Sequence, residues 1–226
     1  MTVCVDDWPP HIIKDADGEP GPMAQAVKTI FAHAGYEAAL VWAPWQRCME
    51  NVRLGIWDAS PGWSKTPARE QDFLFSVPLT SSYHQFMSLK SKAFYWSEWE
   101  DLKGLTIGIT NSYSYGDTFE KYRSEGLFKT EEGLSDEANL KKLLKGHLDL
   151  FVLNKNTAWS IANKHLSKSE VDRLSLHPKP VSQNRESHVI FSKRERSKRL
   201  VQDFDGSVRA LEKSGEFQKL FEYLRH

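Results

Sequence analysis

The sequence predicts an α/β protein of two lobes, each with its own sheet. Three observations lead there. Strand, helix, strand, helix and strand patterns follow one another over the first 59 residues. The same rhythm restarts after Leu102-Lys103-Gly104. Extended, hydroxyl-rich or proline-containing runs separate the two units, and 226 residues suit one large domain or two small ones.

Taken in order, Thr2–Val5 reads as a short buried strand, ended by Asp6-Asp7-Trp8-Pro9-Pro10. Asp15–Pro22 is a turn-rich loop. Met23, Ala26, Val27, Ile30, Phe31 and Ala34 recur at helical spacing, and Gly35 stands where a C-terminal cap belongs. Ala38–Trp42 reads as a second strand. Pro44 precedes a helix with Trp45, Cys48, Met49 and Val52 on one face, ending at Gly55. Ile56–Ala59 reads as a third strand, so the first sheet is expected to be parallel with right-handed crossovers.

Leu79–Leu89 is extended, and Ser91–Asp101 is an irregular aromatic loop. Leu105–Thr110 is a strand, and Asn111–Gly116 a loop feeding a helix at Asp117–Ser124. Asp136–Lys145 is a helix, Leu148–Leu153 a strand and Thr157–Leu166 a helix. A polar stretch with two prolines, His177–Arg185, leads to a strand at His188–Phe191. Helices at about Ser197–Lys213 and Glu216–Leu224, split by Gly215, finish the chain.

Composition narrows the function. Hydrophobic residues make up 40%, aromatic 12% and charged 27%, as in a folded protein. Thirty Lys and Arg balance thirty Asp and Glu, which argues against nucleic acid and against a polybasic membrane clamp. The run Lys193-Arg194-Glu195-Arg196-Ser197-Lys198-Arg199 lacks interleaved aromatics and reads as a solvated helix face. No apolar stretch reaches the ~18 residues of a membrane span. Met1–Asp7 does not read as a signal peptide.

Enzyme signatures are missing: no G-x-G-x-x-G, P-loop, H-E-x-x-H or G-x-S-x-G occurs. The His residues are scattered, so no metal and no cofactor is expected. Cys4 and Cys48 are expected as two half-buried thiols; the alternative, one disulfide, requires an oxidising compartment. Five of the eight Trp fall within the first 63 residues: Trp8, Trp42, Trp45, Trp57 and Trp63. Trp8, Trp63 and Trp45 are expected at strand ends as pocket wall, Trp42 and Trp57 within strands as core.

The segment Asp58–Glu70 is the most informative. It is expected to leave the C-terminal end of a parallel strand, where ligands of open α/β sheets sit. It offers a close-approach backbone at Gly62, an aromatic face at Trp63, hydroxyls at Ser64 and Thr66, and the guanidinium of Arg69. A guanidinium matches a carboxylate bidentately. The competing reading pairs Arg69 with a surface Glu.

In its motifs the chain resembles the family 3 extracellular solute-binding proteins, the receptors of polar amino-acid ABC transporters. The resemblance rests on Asp7-Trp8-Pro9-Pro10, the Gly21–Gly35 helix, Pro44-Trp45-Gln46-Arg47 and Gly55-Ile56-Trp57-Asp58-Ala59. It continues through Thr66-Pro67-Ala68-Arg69, Phe75-Ser76-Val77-Pro78 and Leu102-Lys103-Gly104 with Ile107-Gly108-Ile109. Gly146-His147-Leu148-Asp149 and Ser214–Leu220 complete it in register.

The resemblance implies a two-lobed periplasmic-binding-protein type II (Venus flytrap) fold with two hinge crossings. Lobe 1 is expected over 1–84 plus 187–226, lobe 2 over 85–186. It implies a monomer in the periplasm that binds a small carboxylate-bearing solute and delivers it to a membrane ABC permease. Arg69 would hold the ligand carboxylate, Gly62 and Ser64 would add contacts, and Trp8 and Trp63 would wall the pocket. Tyr113 and Ser114, in the loop Ser112-Tyr113-Ser114, would make the second-lobe anion contact. An acid is usual at the position of Asn154, where it binds an α-ammonium. A neutral amide there implies either another ammonium partner or a ligand without an amino group. A signalling sensor of the same fold is the alternative, and a cyclohexadienyl-dehydratase-like enzyme, with Asp6 or Asp7 as its acid, a third.

Overall fold

The computed structural model describes residues 1–14, 19–92, 94–182 and 185–225. It divides into two compact units, Met1–Ser81 with Glu186–His226, and Ser82–Arg185. The sequence reading placed these boundaries at 84/85 and 186/187. Parts of the predicted Asp15–Pro22 and Ser91–Asp101 loops and of the polar stretch His177–Arg185 lie outside the described residues.

In the first unit, β1 (Thr2–Val5) pairs in parallel with β2 (Ala39–Trp42) and β3 (Ala59–Trp63). β11 (Arg185–Ser192) runs antiparallel between β3 and β4 (Phe73–Phe75), and β5 (Thr80–Ser82) pairs with β11. The boundaries between the units fall within β5 and β11.

Helix α1 (Pro22–His33) has Pro at its start, where no N–H is needed, and buries Met23, Ala26, Val27, Ile30 and Phe31 on one stripe. Gly35, at φ 82°, follows its end as a left-handed cap. The long α7 (Glu195–Ser214) turns Leu200, Phe204, Val208 and Leu211 inward, and Phe204 meets Phe31 at 4.6 Å between ring centres. The basic run around its start is a solvated face. Lys198 pairs with Glu195, Arg196 with Asp58, and Arg199 with Asp203.

Three expectations are corrected here. The third strand is not Ile56–Ala59 but Ala59–Trp63, because Pro61 and Gly62, which read as loop formers, sit inside it. β1 meets β3 at Val3 and Ala59, so Pro61 lies beyond that pairing, where a missing N–H breaks no ladder bond with β1. Trp57 therefore lies in a bend, half-buried, rather than in a strand. Finally, Cys4 and Cys48 are not two thiols: they form a disulfide, joining β1 to α2 (Trp45–Arg53).

The second unit has the sheet order β10-β6-β9-β7-β8. β7 (Thr106–Thr110) is parallel to β8 (Lys129–Gly133) and β9 (Leu150–Asn154), while β6 (His84–Leu89) is antiparallel to β9 and to β10 (Leu174–Pro180). The helices that follow β7, β8 and β9 are α4 (Asp117–Ser124), α5 (Asp136–Leu144) and α6 (Lys155–His165). The sequence reading lacked β8 and gave His177–Arg185 only as a polar stretch with two prolines, whereas His177–Pro180 closes β10. β8 and β10 are the edges of the sheet, where charge and proline are tolerated.

Among the described residues no helix is long and apolar enough to cross a membrane. No group of three or more His, Cys, Asp and Glu among them could hold a metal ion.

Candidate functional site

The first unit has its candidate residues beyond the end of β1 and at and beyond the end of β3. After β1 the backbone turns tightly at Trp8: its N–H donates to the Ile12 carbonyl at 2.8 Å, and the N–H groups of His11 and Ile12 return to the Trp8 carbonyl. Within this turn the Pro9–Pro10 peptide is cis. Trp45, the first residue of α2, stands edge-on to Trp8 at 6.3 Å and to Trp63 at 5.5 Å. Trp45 thus begins the helix that was read after Pro44, and does not stand at a strand end.

Gly62 is where these rings converge. A Cβ there would lie 3.2 Å from Trp45 Cη2 and 3.4 Å from Trp8 Cζ3, and its φ is +91°. The β3–β11 register advances two residues on β3 for one on β11 at this point, so Gly62 is a bulge residue. The sequence therefore needs glycine here for both backbone shape and space.

Trp63 is buried, and its indole N–H donates to Ser60 Oγ at 2.9 Å. Arg69 lies on the short helix α3 (Pro67–Asp72), whose N-cap Thr66 accepts from the Arg69 N–H. The guanidinium sits 5.0 Å from the centre of the Trp63 ring, and its Nη1 donates to the Ser64 carbonyl at 2.8 Å. Glu70, the neighbouring acid, pairs instead with Lys65 at 2.8 Å. Asp6 accepts from the N–H groups of Asp7 and Trp45, and burial pushes its carboxyl up. Asp7 accepts from the Lys14 N–H. Trp8 Nε1 and His11 Nε2 are buried with no hydrogen-bond partner among the described residues.

The second unit gathers its candidates at the end of β7. The Tyr113 N–H donates to the Thr110 carbonyl at 3.1 Å, closing a turn in which Ser112 takes φ 66°. Ser114 follows, half-buried, before the buried Tyr115 and the N-cap Gly116 of α4. Asn154 ends β9 and caps α6: its Oδ1 accepts from the N–H groups of Asn156 and Thr157 at 2.8 and 3.4 Å. It also lies opposite His84 in the β6–β9 ladder.

Beneath this loop is a polar cluster absent from the sequence reading. Asp136, the first residue of α5, is buried. It accepts from the Thr110 hydroxyl at 2.5 Å and from the Tyr113 hydroxyl at 3.3 Å. Burial pushes its carboxyl up to about 6, and the two hydroxyls pull it part of the way back. The buried Asn139 amide donates to the Ile109 carbonyl and the Thr110 hydroxyl. Tyr115 accepts from the Thr110 N–H at 2.6 Å. The available signal was slight, an acid at the first helical position, where the helix dipole alone explains it.

The profile of the bacterial extracellular solute-binding proteins, family 3, matches residues 1–224. The chain therefore belongs to that family, with its two-lobed type II periplasmic-binding-protein fold. No curated protein matches the chain. Among solved structures it is similar to an ancestral arginine-binding protein bound to arginine: 17% identity, TM-score 0.84, covering 98% of this chain and 96% of that one. It is as similar to a histidine kinase sensor domain that resembles periplasmic binding proteins: 17% identity, TM-score 0.84, 99% and 94% covered. The substrate-binding protein of an amino acid ABC transporter aligns at 18% identity, TM-score 0.78, covering 98% and 96%. The chain is thus a family 3 solute-binding protein.

Proposed function

We propose that this protein is a periplasmic receptor that takes up a small carboxylate-bearing solute, an amino acid or related organic acid, and hands it to a membrane ABC permease. One observation carries the reading: Arg69 is held at the end of β3 by the Trp63 ring and the Ser64 carbonyl. That fixes a guanidinium before any ligand arrives, which lowers the entropy cost of receiving a carboxylate. Gly62, Ser64, Trp8 and Trp63 are the further candidate contacts of the first unit; Tyr113, Ser114 and Asn154 are the candidates of the second, each taken by itself. Arginine bound to one structural neighbour, and the ABC transporter named for another, support this solute class and this destination. The disulfide supports an oxidising compartment.

The test is calorimetric titration of the full chain with the common L-amino acids and with amino-free mono- and dicarboxylates. At least one carboxylate is expected to bind, and neutral analogues with the carboxyl amidated are not. Stimulation of a reconstituted permease's ATPase by the loaded receptor then tests delivery. The similarity to a kinase sensor domain favours a second reading, in which the same binding event reports rather than transports. A receptor that binds its solute yet never stimulates a permease would support that reading. We read the chain as a binder and not an enzyme; prephenate incubated with it is expected to remain unchanged.

A further inference from the structure

The aromatic segment after β6 bounds a cavity that lies wholly within the second unit. Phe94, Tyr95 and Trp96 wall about 470 Å³ against β10. That is the size of a site for a small organic molecule. Trp96 is buried and packs on Phe86 of β6 at 5.2 Å between ring centres. Tyr95, by contrast, is 80% exposed. Ser88 and Ser175, opposite each other in the β6–β10 ladder, also line the cavity. Tyr113, Ser114 and Asn154 do not.

The cavity owes its shape to an irregularity in β10. Leu176 faces Met87 and Pro180 faces Gln85, so His177, Pro178 and Lys179 all stand opposite Phe86. The buried Gln85 fixes this bulge: its amide donates to the carbonyls of His177 and Pro178, each at 2.9 Å. A bulge re-aims the side chains it carries, and here His177 and Lys179 line the cavity. The His177 ring meets those of Phe94, Tyr95 and Trp96 at 5.5, 6.0 and 6.1 Å. The Lys179 ammonium stands 4.2 Å from the centre of the Trp96 ring and donates to the Ser97 carbonyl.

The polar side chains of the lining have one character. His177 Nδ1 accepts from the Lys179 N–H at 3.2 Å, which leaves the imidazole proton on Nε2, as a donor. Burial pushes this imidazole below its usual range, so it is neutral at pH 7. Lys179 brings a full positive charge. The Trp96 indole N–H is a further donor, buried with no partner among the described residues. Among the lining residues there is no Asp or Glu. Aromatic walls favour a flat apolar ring, and an ammonium beside a donor N–H favours an anion.

We propose that this cavity is a binding site for a small aromatic carboxylate. The ligand ring lies against the aromatic wall, and its carboxylate takes the Lys179 ammonium and the His177 Nε2–H. The site uses no residue of the first unit and does not rest on the receptor reading above.

The test is calorimetric titration of the full chain with benzoate, phenylacetate and indole-3-acetate, each paired with its neutral amide. Wild type is expected to bind at least one of these acids about tenfold to hundredfold more tightly than its amide, the range of a charge-assisted hydrogen bond. K179Q is expected to remove most of that preference, and Y95A to weaken the acid and the amide together by losing a wall. R69A is expected to leave the titration unchanged. Where K179Q does not fold, Y95A still reads the site, since the Tyr95 ring is exposed. No saturable binding of any of the three acids to wild type overturns the proposal, as does equal affinity for acid and amide. Binding that survives both K179Q and Y95A unchanged also overturns it. Binding that R69A abolishes places the acid on Arg69, which overturns this site and leaves the carboxylate receptor standing.

Discussion

The Arg69 guanidinium lies against the Trp63 ring, 5.0 Å from its centre, while Trp63 is itself fixed by its indole bond to Ser60. A flexible side chain is thereby given one orientation. R69A is expected to weaken solute binding by about a hundredfold or more, because the ligand carboxylate loses a charged partner. R69K restores only part, since an ammonium lacks the planar fork. The stability change is expected to stay within about 1 kcal/mol, as the contact to Trp63 is half-exposed. Titration calorimetry and urea unfolding separate the two effects.

Gly62 is expected to tolerate no side chain. G62A places a methyl 3.2 Å from Trp45 Cη2 at a φ of +91°, so the indoles must shift and the backbone is strained. The cost is about 1–3 kcal/mol. Urea unfolding reads it, and a changed tryptophan emission spectrum is expected to accompany it.

Removing the disulfide with C4A/C48A is expected to cost about 4 kcal/mol, the chain-entropy value for a bridge across 44 residues. A similar loss is expected when wild type is unfolded in the presence of a reductant. Equal midpoints with and without reductant would contradict it.

Two buried groups titrate with opposite signs. His11, buried beside Trp8, has its imidazole pushed down to about 4 by burial. Its folded value lies below its unfolded one, so its contribution is complete above about pH 6.5 and is lost as the pH falls toward 4. Asp136 has a folded value of about 6, above its unfolded one. Its protonation in the folded state adds stability as the pH falls through 6. Between pH 7.5 and 4.5 each effect amounts to about 2 kcal/mol. Relative to wild type, H11F is expected to gain stability on acidification and D136N to lose it. Urea midpoints at the two pH values give the comparison.

Legibility followed the strength of the local signal. β1, α1 and α4 were plain, because apolar runs or stripes are bounded by Gly, Pro or paired acids. β3 was displaced because Pro61-Gly62 has loop chemistry, and only its neighbours β1 and β11 make it a strand. β8, with the sequence KTEEG, has no apolar face to read, since an edge strand gets its shape from its partner. Arg69, Trp63 and Gly62 could be named from one contiguous segment. The Thr110–Asp136 pair could not, because 26 residues separate two ordinary-looking positions that meet only when β7 and α5 pack. The indole–glycine convergence at Gly62 was likewise hidden, as Trp8, Trp45 and Gly62 come from three separate segments.

The bridge between Cys4 and Cys48 also governs what a protease can do to this molecule. It ties the first strand to the second helix across every peptide bond from Val5 to Arg47. A single cut anywhere in that stretch adds one water and releases nothing. The nicked chain would run at full mass until a reductant is added, and then shed its N-terminal fragment. A limited digest compared with and without reductant therefore shows whether the covalent loop is closed in the protein as purified.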